Sequence, residues 1–99
     1  MQVPKIISAK AIVPTTLVVE FANYEIKQYD ISPLLNKSMF SLLREPTFFK
    51  SFTIEPGGYA LVWNDEIDIS EYELWNNGVA MNSDRDLRKI SNEMSGRSQ

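Results

Sequence analysis

An α+β domain is predicted for this sequence by three observations. Short β-branched runs with partial apolar and polar alternation occupy residues 4–31. One segment, about 32–44, carries apolar residues at helical spacing, and a Pro56-Gly57-Gly58 reversal separates two further extended runs. The expected architecture is an N-terminal antiparallel three-strand meander, one main helix (about 32–44), a returning β-hairpin and a short C-terminal helical tail. The expected division is a single domain at 1–78 and a tail at 79–99, with room for a short helix and then a disordered end.

The first strand is expected within residues 4–13, stopping at Pro14, which has no N–H to give to a ladder. Leu17, Val19 and Phe21 lie on one face of the second, and Ala22-Asn23 reads as a two-residue primed turn. From Tyr24 to Ile31 the pattern alternates strictly, with Tyr24, Ile26 and Gln28 on one side and Glu25, Lys27 and Tyr29 on the other. Ser32 supplies an N-cap oxygen and Pro33 a first-turn proline for a helix in which Leu34, Leu35, Met39, Leu42 and Leu43 recur at helical spacing. Pro46 ends that helix by disfavouring helical geometry at Glu45, and Pro46–Lys50 reads as a second short turn. Phe48, Phe49 and Phe52 are expected to seal it against a sheet.

Beyond residue 51, Phe52–Glu55 and Tyr59–Trp63 flank the glycine turn as a hairpin. Asn64–Glu66 is the next turn, and Ile67–Ser70 continues as a strand with both isoleucines on one face and Asp68 on the other. Ser70 caps one short helical turn with acids at its start, which Asn76-Asn77-Gly78 closes. In the tail, Leu87, Ile90 and Met94 form a stripe too small to hold a helix alone.

The composition excludes much chemistry. The 99 residues contain no Cys and no His, which removes thiol chemistry, disulfides, imidazole acid–base catalysis and zinc sites of the usual kind. Ten bases against thirteen acids give a net charge of −3 and a pI near 4.9, the wrong sign for phosphate backbones. Residues 55–81 hold six acids and no base, with Asp65, Glu66, Asp68, Glu71 and Glu73 packed into nine positions. That block lacks the ligand register of a calcium loop, and Pro56-Gly57-Gly58 lacks the spacing and the Lys of a phosphate loop. No Ser stands beside a Lys on a strained turn. The expectation is therefore no catalytic residue, no metal and no cofactor. The N-terminal residues lack a signal-peptide layout and no apolar run is long enough for a bilayer, so a cytoplasmic location is expected, without membrane association.

The order Tyr29-Asp30-Ile31-Ser32-Pro33-Leu34-Leu35, then Leu43-Arg44-Glu45-Pro46-Thr47-Phe48-Phe49, then Glu55-Pro56-Gly57-Gly58, Val62-Trp63 and Ile67-Asp68-Ile69-Ser70 resembles the bacterial domain-of-unknown-function family numbered 2442. The resemblance covers about residues 4–75. Where that family commonly has Asn-Gly or Asp-Gly turns, this chain has Asn23-Tyr24 and Asp65-Glu66. The resemblance implies a small α+β domain with no known enzyme activity. Members are often encoded beside another short protein, hence a toxin–antitoxin-like suggestion, and some carry an added helix-turn-helix. At most one further helix is expected from 82–99. The resembling residues Asp30, Ser32, Pro33, Pro46, Gly57, Gly58 and Trp63 read as structural, with Asp30 and Ser32 accepting from helix N-terminal amides and Trp63 in the core.

The functional expectation is a non-catalytic protein–protein interaction module, with an antitoxin-like role as its narrower form, that meets a more basic protein through Asp65, Glu66, Asp68, Glu71, Tyr72, Glu73 and Trp75. Self-association is a variant of the same reading. The alternatives are a nucleic-acid-associated accessory role through Arg85, Arg88, Lys89 and Arg97, whose bases are interleaved with acids, and a small metal-dependent enzyme using the 65–73 block.

Overall fold

The computed structural model describes residues 3–81. Among these described residues seven strands form two antiparallel sheets, and the fold is α+β. β1 (Ile6–Ile12), β2 (Thr16–Phe21) and β3 (Ile26–Asp30) form the expected meander. β7 (Val79–Ala80) adds to its far side, pairing Lys27 with Ala80 and Gln28 with Val79. The second sheet has the order β4 (Thr53–Ile54), β5 (Ala60–Val62) and β6 (Asp68–Ser70). Among the described residues no helix is long and apolar enough to cross a membrane.

The meander buries the face its alternation specifies. Leu17, Val19 and Phe21 are fully buried, and the register sets Ala11 beside Leu17 and Ala9 beside Val19, so small residues of β1 lie against large ones of β2. On β3 the same face carries Tyr29 opposite Leu17 and Lys27 opposite Val19. The second sheet contributes Leu61, Trp63, Ile67 and Ile69 to the same core. One backbone contact couples the sheets through the glycine turn. Ile6 donates its amide to the Gly58 carbonyl at 2.9 Å, and Gly58 is buried with φ 78°. The Trp63 indole donates to the Phe49 carbonyl at 2.8 Å and meets Phe52 edge-on at 5.6 Å, closing the aromatic cluster over the second sheet.

The main helix is not a single α-helix. Residues 32–44 form two consecutive 3₁₀ helices, Ser32–Asn36 and Ser38–Arg44, broken at Lys37, whose backbone is extended at φ −100°, ψ 132°. The break falls in Asn36-Lys37-Ser38, where two short polar side chains favour other local conformations over helix. In 3₁₀ geometry residues i and i+3 eclipse. Phe40 and Leu43 therefore share the inward side, while Met39 and Leu42 share an outward one and stay 57% and 51% exposed. α1 (Pro46–Phe49) is the expected short turn.

Ser32 is also not the capping residue: Ile31 holds that position with no side-chain cap. The Asp30 carboxylate accepts from the Ser32 amide at 3.0 Å and from the Ser32 hydroxyl, so the acid is the acceptor and the hydroxyl a donor. The β2–β3 loop has three residues instead of two. Phe21 donates to the Glu25 carbonyl, Tyr24 to that of Phe21, and Tyr24 takes φ 72°, the left-handed position of a three-residue hairpin.

α2 (Glu71–Asn77) is longer than one turn. Ser70 caps it, its hydroxyl accepting from the Glu73 amide at 3.1 Å, and Glu71 and Glu73 complement the positive end of the helix. The first sheet also takes in residues past 78, the expected end of the domain. β7 pairs with β3, and Met81 is buried and donates to the Ile26 carbonyl at 2.9 Å. The expected helical tail lies outside the described residues.

Candidate functional site

The acidic block does not form one surface. Asp65 and Glu66 lie exposed in the β5–β6 turn, where the Asn64 side-chain oxygen accepts from the amides of Glu66 and Ile67, both at 2.8 Å. Asp68 is exposed on β6 opposite Val62, and Tyr72 is 65% exposed on α2. The remaining members turn inward. Glu71 pairs with Lys5 at 2.6 Å, and the same ammonium stands 4.2 Å from the Tyr59 ring centre. Trp75 is half-buried, edge-on to Phe21 at 5.1 Å, with the Lys27 ammonium 3.9 Å from its ring centre and donating to its carbonyl. Glu73 accepts from the Tyr29 hydroxyl at 2.7 Å.

These three contacts tie α2 to the first sheet. They place Lys5 and Lys27, from the base-richer N-terminal half, against the acidic half. A surface lysine contributes little as an ion pair alone, but its aliphatic stem covers apolar surface while its charge is satisfied. Of the seven residues expected to bind a partner, Asp65, Glu66, Asp68 and Tyr72 are therefore outward, and Glu71, Glu73 and Trp75 join α2 to the sheet.

The structure also brings together a cleft with no contiguous trace in the sequence. A cavity of about 630 Å³ lies between β3, the first 3₁₀ helix and α2. Gln28, Asn77, Asp30 and Glu73 are its polar lining, Pro33, Leu34 and Val79 its apolar walls, and Tyr29 sits with Glu73. A second cavity of about 350 Å³ shares Tyr29, Leu34 and Glu73 with it and adds Lys37, Phe40 and the β6 residues Asp68, Ile69 and Ser70. The one signal that could have pointed here is the alternation of β3, which sets Gln28 and Asp30 on one face.

Both acids near Tyr29 act on it. Burial first, then the hydrogen bond to Glu73, then the charges of Glu73 and Asp30 push the Tyr29 hydroxyl far above its ordinary range, so it stays protonated and donates. Asp30 is shifted the other way. The Ser32 hydroxyl and then the Ser32 amide hold its carboxyl below the ordinary value. The cleft thus presents two carboxyl groups beside a fixed phenol donor. That arrangement suits a cation or a hydrogen-bond donor. Among the described residues no three carboxylates converge to hold a metal ion.

Asp30, Ser32 and Pro33 form the strand-to-helix junction at the rim of this cleft, Pro46 starts α1, Gly57 and Gly58 form the β4–β5 turn with positive φ, and Trp63 is buried. In comparison with known proteins, a family described as Protein of unknown function (DUF2442) matches residues 6–80. No curated protein and no solved structure matches the chain.

Proposed function

From the premise that the chain belongs to the DUF2442 family of proteins of unknown function, we propose that it is a non-catalytic interaction module whose exposed acidic edge docks a more basic protein. The observation that carries this reading is the outward set Asp65, Glu66 and Asp68, with Tyr72 also exposed on α2. Among the described residues the one ion pair, Lys5–Glu71, lies elsewhere. Clustered acids accelerate encounter with a basic surface, and an exposed Tyr supplies a rigid amphipathic anchor of the kind that dominates binding energy.

An antitoxin-like role beside a neighbouring small protein in the cytoplasm is the finer form of this proposal. The nucleic-acid reading rests on Arg85, Arg88, Lys89 and Arg97, which lie outside the described residues. Affinity purification of the tagged chain from its native host, at low and at raised salt, with mass analysis of protein and nucleic acid, tests the proposal. The expected result is a stoichiometric protein with more bases than acids, lost at raised salt and lost when Asp65, Glu66 and Asp68 are all changed to Lys. A partner unaffected by that charge reversal, or nucleic acid in place of protein, overturns it.

A further inference from the structure

We infer that the cleft between β3, the first 3₁₀ helix and α2 receives an arginine side chain of the basic partner, with Glu73 and Asp30 holding its guanidinium. The inference rests on the interaction-module reading but concerns a second surface: the exposed turn at 65–68 attracts, and the cleft anchors.

Charge complementarity identifies the occupant. The larger cavity is lined by two carboxylates and no base, and its volume of about 630 Å³ leaves ample room for a single side chain. Tyr29 donates to Oε2 of Glu73, which fixes that carboxylate's orientation and leaves Oε1 for a ligand. The Ser32 amide and hydroxyl fix Asp30 in the same way, both through Oδ1. Two oriented carboxylates beside apolar walls match a planar guanidinium on an aliphatic stem better than a compact ammonium, because the fork can bond in parallel while the stem lies on Pro33, Leu34 and Val79. The half-buried setting of Glu73 strengthens its pull on a cation relative to the solvated acids of the turn.

The probe is N-acetyl-arginine amide, titrated into the isotopically labelled full chain, with the citrulline analogue as the neutral isostere. Saturable shifts of the Gln28, Leu34 and Asn77 amides are expected for arginine and not for citrulline. Glu73→Gln, which keeps an acceptor for Tyr29, and Asp30→Asn, which keeps one for Ser32, should each weaken binding about tenfold or more. Asp65→Lys combined with Glu66→Lys, both in the β5–β6 turn and outside either cavity, should leave these shifts in place. The inference is overturned by equal shifts with citrulline, by shifts confined to the 65–68 turn, or by no saturable shift. Recovery of a salt-sensitive basic partner together with a silent titration removes the anchor and leaves the module reading standing. Arginine binding in the cleft without any recovered partner does the reverse.

Discussion

At Tyr24 a bulky side chain occupies φ 72° while its ring is 82% exposed, so little packing offsets the steric penalty of the left-handed region. Asn23 relieves part of it, its side-chain oxygen accepting from the Glu25 amide at 3.1 Å. Tyr24→Gly should therefore stabilise the chain by about 1 kcal/mol, the cost of the left-handed conformation outweighing the added freedom of glycine in the unfolded chain. Urea denaturation reads this as a higher midpoint at unchanged slope. An unchanged or lower midpoint would show that the ring contributes contacts that exposure alone does not reveal. The sequence marked the place of this turn but not its length. Asn23 signals a reversal, and only the pairing of Phe21 with Glu25 decides that three residues lie between them.

At the level of elements, the junction from β3 into the first 3₁₀ helix depends on Asp30. Its carboxylate accepts two hydrogen bonds from Ser32 and depends on neither burial nor an ion pair. Asp30→Ala should lower stability by about 1 kcal/mol, in line with other helix-start acceptors. The pH dependence has a definite sign. Because the folded carboxyl lies below its ordinary value, its contribution is fully present above the unfolded value of about 3.9 and disappears as pH falls through the folded one. The gap between wild type and variant should be widest near neutrality and close in acid, and denaturation series at several pH values measure it. A gap that stays constant into acid would assign the loss to packing instead. The residue and its role as acceptor were legible in Asp30-Ile31-Ser32-Pro33. The helix type was not, since apolar positions 34, 35, 39, 42 and 43 fit an α-helix and the break at Lys37 came from the polar trio between them.

For the molecule as a whole, the two sheets are joined at the backbone where Gly58 meets β1. A Cβ on Gly58 would stand 2.5 Å from the Ile6 carbonyl oxygen and 2.9 Å from its amide nitrogen, in addition to the strain of φ 78°. Gly58→Ala should cost roughly 2 kcal/mol or more, because neither sheet can yield without losing the Ile6–Gly58 hydrogen bond. Gly57→Ala should cost less: its Cβ would meet only the half-exposed Tyr59 ring, which can swing away. Thermal denaturation of the two variants compares them, and equal losses would mean that backbone strain alone, not the junction, sets the cost.

The sequence by itself determined the class of fold, the meander, the glycine hairpin, the core face of β2 and β6, and the absence of Cys and His chemistry, because these follow from local alternation, turn residues and composition. Tertiary structure alone decided what the acidic block does. Glu71, Glu73 and Trp75 are separated by 44 to 66 positions from Tyr29, Lys27 and Lys5, and no local pattern records which acid faces a base across that distance. The same holds for the cleft. Its carboxylates come from β3 and α2, and only the packing of α2 on the first sheet, set by the burial of Leu74 and the seating of Trp75 on Phe21, brings them to one cavity.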